Sequence, residues 1–445
     1  MSESIRTPSV WSLPLHALRL AGRCVLPLVM WYSAGQLVRF GLMVGGTELG
    51  HGSMKDLRYA LTMLVFIIMV MAGLVVSVGM FASLRGALWE MRARRADGDQ
   101  DEGFVSTLSR VIIPFVALYL AWGWQLDDVR DYLSMDILRQ SDDKGALGAF
   151  YDLATGEQPD TARILIGLNF TATLVIMAVA FLARYFFTLW YERDQARTAA
   201  LAVAFCELSF FYYGAQVVAS RGEVVGGWLG SRVAASWVGD LFDGLQVHIP
   251  GLAALGELLD TVKPYAWDAL VLPAAWLTVA ILMYGAYAED ARGVIRGTRL
   301  EGVATQAGTM LTARTHSLTR RTLLRFFGRW ADWVPLMNTV RLAIRGGAPL
   351  FGYFALCFVG LRVGADYASR GIVYLLGSDH PMLYLNVLLV PVDFVVDLVV
   401  TVLTICLLAA TFDIAAGAER RRRAVAGVSG RSAERAPTPA LQHTS

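Results

Sequence analysis

The chain has 445 residues, of which 56% are hydrophobic and only 17% charged, and its mean hydropathy is +0.49. That excludes an ordinary soluble globular protein, in which about a quarter of the residues are charged. The formal net charge of +2 says nothing about partners until charge is sorted by compartment. Cys24, Cys206, Cys357 and Cys406 fall inside or at the edge of apolar segments with no CxxC spacing. They read as buried thiols rather than as a disulfide framework or a zinc site.

The expected fold is all-α: a polytopic integral membrane protein with eight transmembrane helices arranged as helical hairpins. Residues 1–23 are polar and amphipathic and read as a cytoplasmic elbow. The apolar run that follows is too long for a signal-peptide core and lacks a convincing small-residue cleavage site, so the first helix is expected to stay as an anchor. Windows of about 20 apolar residues, the length that crosses a bilayer, lie at 24–46, 57–84, 105–125, 164–190, 198–218, 266–288, 347–365 and 384–412. The expected organisation is the elbow 1–23, transmembrane helices 1–5 over 24–218, and an external amphipathic segment at 219–265. Transmembrane helices 6–8 follow over 266–412, with a cytoplasmic loop at 289–346, and then a disordered cytoplasmic tail at 413–445.

Charge sorts cleanly on this topology. Of the 39 Lys and Arg, 26 fall in the odd-numbered connecting segments that share a side with the N-terminus, 10 in the opposite ones, and three (Arg39, Arg184 and Arg362) inside helices. Basic residues are retained on the cytoplasmic side, so both termini are expected inside. Lysine is scarce (Lys55, Lys144, Lys263) and Ala, Val and Gly are abundant, which fits a bacterial plasma-membrane protein.

The external segment 126–163 carries nine acids against four bases. It reads chiefly as the outward counterpart of the charge bias, with a cation-attracting mouth as the sharper alternative. In 219–265, Trp228, Val233, Trp237, Leu241 and Leu245 recur near helical spacing, as in a helix lying at the outer interface; a re-entrant hairpin is the alternative. In the cytoplasmic loop, Arg314, Arg320, Arg321, Arg325 and Arg329 alternate with Leu323, Phe326, Phe327 and Trp330. This basic amphipathic stretch is expected to lie on the inner leaflet and attract anionic lipid, with no nucleic-acid partner. The arginine run 420–423 reads as a stop-transfer cluster.

A shift of 322 residues matches Trp11 to Trp333, Arg19 to Arg341, Arg23 to Arg345 and Pro27 to Pro349. One further residue of slippage matches Arg39-Phe-Gly41 to Arg362-Val-Gly364. The pattern implies a parallel internal repeat, an elbow followed by a hairpin. Gly41/Gly45 and Gly360/Gly364 recur in both units and suit close helix approach.

The candidate site lies in the last apolar window, where Asp393 and Asp397 stand one turn apart on one helix face. A carboxylate in the hydrocarbon region costs at least a few kcal/mol, so it normally faces protein or water and has a partner or a protonation role. Depth counting places Arg362 and Arg39 at comparable levels, and Glu207 level with Arg184. Two clusters are therefore expected: Asp393 and Asp397 with Arg362 and Arg39, and Glu207 with Arg184. Pro391, two residues before Asp393, would kink the helix next to the acid. Either cluster could equally be a plain structural ion pair.

No catalytic motif, metal-ligand spacing or cofactor fingerprint is present, so no catalytic residue, metal or cofactor is expected. The functional expectation is a transporter or channel-like protein that uses the intramembrane carboxylates for a proton or ion. The alternatives are a membrane scaffold with structural ion pairs and, last, an intramembrane enzyme acting on a lipid-linked substrate.

Overall fold

The computed structural model describes residues 9–50, 55–98, 103–145, 170–194, 197–220, 265, 267–284, 348–377 and 382–434. Among these residues every regular element is helical. A 3-10 turn at Val10–Ser12 leads into α1 (Leu13–Gly50), followed by α2 (Lys55–Leu84), α3 (Trp89–Ala96), α4 (Phe104–Ala121), α5 (Trp124–Lys144), α6 (Phe170–Asp194) and α7 (Arg197–Ser220). A π turn at Trp267–Val271 precedes α8 (Leu272–Met283), and α9 (Ala348–Leu376) and α10 (Met382–Glu434) complete the order.

Among the described residues, five helical stretches are long and apolar enough to cross a membrane: Val10–Gly50, Leu61–Leu84, Leu174–Tyr191, Pro349–Leu375 and Val387–Arg421. The other three expected windows hold shorter apolar helices, Phe104–Leu120, Thr198–Gly214 and Ala269–Met283. The third window ends early for a local reason. Gly123 takes a left-handed conformation (φ 70°), which a residue with a Cβ adopts only at a cost. It separates α4 from α5, so the first part of the expected acidic loop is a 21-residue helix.

The chain divides into two compact units, one comprising Met1–Val25, Ser83–Asp101 and Ala280–Ser445, the other Leu26–Ala82 and Glu102–Val279. In the first, α9 and α10 form an antiparallel hairpin, and α3 packs on α10. Its core includes Leu13, Leu20, Leu88, Phe354, Phe358 and Phe412, with the Tyr284 and Phe412 rings stacked at 4.7 Å. The elbow ends where α1 is kinked, at Cys24 (φ −117°, ψ 16°), three residues before Pro27. Proline lacks the N–H of that turn, and its ring collides with the carbonyl four residues earlier. α10 has 53 residues, so it is about 80 Å long. The boundary expected at 413 therefore falls inside a helix that continues to Glu434.

In the second unit, α6 pairs with α7, and α4 packs on α7. Met43, Phe66, Met69 and Tyr132 form a buried cluster. Two glycines set the spacing of α1 and α2: a Cβ on Gly35 would stand 2.7 Å from Val76, and one on Gly79 would stand 2.5 Å from the Trp31 ring. The glycine pairs singled out in the sequence behave otherwise. Nothing lies within 4 Å of a Cβ built on Gly41, Gly45, Gly360 or Gly364, so among the described residues no helix uses them for close approach.

Candidate functional site

Asp393 and Asp397 are exposed on α10, and Arg362 is exposed on α9. Counted from the turn between Leu376 and Met382, Arg362 stands about 21 Å down its helix, Asp393 about 16 Å and Asp397 about 22 Å. The hairpin thus carries Arg362, Asp393 and Asp397 at comparable levels, with Asp366 about 15 Å down α9 beside them, inside stretches otherwise apolar enough to span. The Arg362 guanidinium lies 5.4 Å from the centre of the Phe358 ring, a cation–π contact that holds it against the helix. Asp366 and Arg370 follow on the same face of α9 at four-residue steps, both exposed. They were expected in an external loop, but α9 runs on to Leu376.

The buried acid of α10 is a residue that sequence reasoning passed over. Asp413 is only 2% exposed. Its Oδ1 accepts a hydrogen bond from the Glu90 amide at 2.7 Å, and its Oδ2 accepts one from the Trp89 amide at 3.1 Å. His16 Nε2 stands 3.0 Å from the same Oδ2. The first amides of a helix have no intrahelical acceptor, and Leu88 at the N-cap of α3 has no side-chain oxygen to offer them. Asp413 caps α3 from a distant helix and places a negative charge at its positive end. The Glu90 side chain is itself buried and accepts from Arg94 at 3.2 Å and from Arg420 Nη2 at 3.1 Å. Arg420 also reaches Asp97. One carboxylate thereby joins the elbow, α3 and α10.

In the second unit, Arg39 was expected beside Asp393 and Asp397. The structure instead gives it Asp128, at 2.6 Å, and Asp131, at 2.7 Å. The cause is α5: once residues 124–144 are helical, Asp128 and Asp131 share a face one turn apart. Asp128 is buried and also accepts a hydrogen bond from the Tyr119 hydroxyl. Burial pushes the Asp128 carboxyl above the usual carboxylate range, while Arg39 and the Tyr119 hydroxyl pull it back down. One turn along, the Tyr132 hydroxyl donates to the Gly46 carbonyl at 3.1 Å. Burial, with Asp136 adding to it, pushes that phenol up to about 12. Arg139 donates to the Thr47 carbonyl and pairs with Glu48 at 2.9 Å.

Arg184 and Glu207, expected level with one another, are brought together on α6 and α7 at 3.2 Å. The basic stretch 314–333, nearly all of the external segment 219–265 and the second elbow of the repeat lie outside the described residues.

The chain matches no protein-family model, no curated protein and no solved structure. The chemistry of its own residues therefore carries the functional argument.

Proposed function

We propose that this chain is a multi-pass membrane protein that moves a proton or cation across its bilayer, with Asp393 and Asp397 as the exchanging carboxylates and Arg362 as the charge that tunes them. The observation that carries this reading is the placement of these three residues, exposed and within about 6 Å of one another in depth, about 16–22 Å from the turn of the α9–α10 hairpin. A hydrocarbon core is about 30 Å thick. Charged groups at that depth need water or polar partners, and they mark ion pathways or proton relays more often than ornament. Pro391 lies within α10 two residues before Asp393, and its missing N–H frees the carbonyl of residue 387, about 9 Å along the helix from the acid. The full topology that accompanies this reading has eight spans in hairpins, both termini cytoplasmic, and the first and last hairpins related as a parallel repeat.

The competing reading, a scaffold, is favoured by a different observation. Asp413, Asp128, Glu90 and Glu207 are all committed to cations or backbone amides, as structural locks are. Flux in proteoliposomes under an imposed pH or cation gradient separates the two. The transport reading expects flux from the parent chain and its loss in Asp397→Asn and Asp393→Asn proteins that melt like the parent. A parent chain that supports no flux for protons or any common monovalent or divalent cation would overturn it.

A further inference from the structure

The elbow, residues 10–23, is apolar on two opposite faces. Leu13, Ala17 and Leu20 are buried, while Trp11, Leu15 and Leu18 are 77%, 51% and 56% exposed. At 100° per residue the exposed three form one stripe and the buried three another, about half a turn away. On one flank between them lie Ser12, His16, Arg19 and Arg23. Arg19 and Arg23 are exposed, and among the described residues neither meets a carboxylate.

Two contacts within the same unit fix the level of this helix. The Trp11 ring lies 5.5 Å from that of Tyr353, near the start of α9, and His16 meets Asp413 of α10 at 3.0 Å. Tyr353 is about 35 Å from the α9–α10 turn along its helix, and Asp413 about 47 Å. A hydrocarbon core of about 30 Å therefore ends close to the elbow, which sits at the headgroup level opposite that turn. An exposed Trp-Leu-Leu stripe with two arginines on its flank, at that level, has the form of a helix lying in the interface.

We infer that the elbow is a binding surface for anionic phospholipid, in which Trp11, Leu15 and Leu18 enter the acyl region and Arg19 and Arg23 bind headgroup phosphates. The buried stripe and the His16–Asp413 contact hold the helix in that attitude. The inference needs only that the chain resides in a membrane, and it stands whether or not the chain transports anything.

The test uses the full chain in nanodiscs, with a fluorophore on Leu18→Cys in a background lacking the native cysteines. Chain-labelled doxyl phosphatidylglycerol or doxyl phosphatidylcholine is added at equal mole fraction as quencher. Phosphatidylglycerol should quench more strongly, by on the order of fivefold in local enrichment for each arginine. In Arg19→Gln/Arg23→Gln the two lipids should quench alike, with the melting temperature of the labelled protein unchanged. Quenching by neither lipid would remove the elbow from the interface. Equal quenching by both in the parent, or a preference that survives the double substitution, would remove the arginines from the headgroups. Each of these results overturns the inference.

Discussion

Two levels of α10 treat the same chemical group in opposite ways. Near its start, Asp393 and Asp397 stand exposed in an apolar stretch. Some sixteen residues after Asp397, Asp413 is buried, and each of its oxygens is engaged by a backbone amide, Oδ2 also by His16. A buried carboxylate that accepts from two backbone amides is held in one geometry, which suits a joint between helices. An exposed carboxylate within a spanning stretch is not enclosed by the fold in that way. Sequence position alone inverts this ranking, because Asp413 comes at the very end of the last apolar window and reads as the start of a tail.

The sharpest way to break the comparison is to remove the buried acid. Asp413→Ala leaves a buried amide, a part-buried amide and a histidine nitrogen without their acceptor, and should destabilise the protein by about 2–4 kcal/mol, read from denaturant or thermal unfolding in detergent. A loss below about 1 kcal/mol would mean that α3 finds another cap and that the joint is not what holds α3 to α10.

Asp128 extends the buried class to the second unit. Arg39→Gln should cost about 1–3 kcal/mol at neutral pH, and the cost should depend on pH. Burial already raises the Asp128 pKa above its unfolded value, so the folded state binds more protons than the unfolded one. This group's contribution to stability then falls as pH rises from the ordinary carboxylate range through the folded pKa. Without Arg39 the folded pKa rises further and the window widens. The loss in Arg39→Gln should therefore be greatest at neutral pH and shrink near pH 4, as unfolding across a pH series would report. A loss independent of pH would assign Arg39 to packing alone.

Glu90→Gln keeps the shape of a buried side chain but removes the charge shared by Arg94 and Arg420. A loss of about 1–2 kcal/mol is expected, smaller than at Asp413 because both arginines reach solvent. Asp393→Asn and Asp397→Asn should change stability least, within about 0.5 kcal/mol. A larger loss at either position would move that acid into the structural class and favour the scaffold reading.

The helical class and the places of the apolar segments were legible because hydrophobic run length is a local property. The Arg184–Glu207 pairing was legible for a related reason: both charges interrupt apolar helices at countable depth. The Arg39 partners were not, because α5 carries Asp128, Tyr132 and Asp136 as its buried stripe, and a stripe of two acids and a phenol looks like a solvent face. Only the left-handed Gly123 and the helix it starts bring Asp128 and Asp131 to Arg39. Asp413 was hidden differently: its acceptors are filled by amides of α3, and backbone donors leave no trace in side-chain identity. The apolar Ile414, Ala415 and Ala416 that follow it, all buried, were the available sign that the helix did not end there.

The central claim, that α10 exposes Asp393 and Asp397 at one level and buries Asp413 at another, is tested most directly by substituted-cysteine accessibility in sealed vesicles. Asp393→Cys, Asp397→Cys, Val395→Cys and Asp413→Cys would each be placed in a chain lacking the four native cysteines and treated with a small charged methanethiosulfonate. The account predicts rapid modification at 393 and 397, slow modification at 395, and none at 413 in the folded protein. Protection of 393 and 397 equal to that at 413 would contradict it.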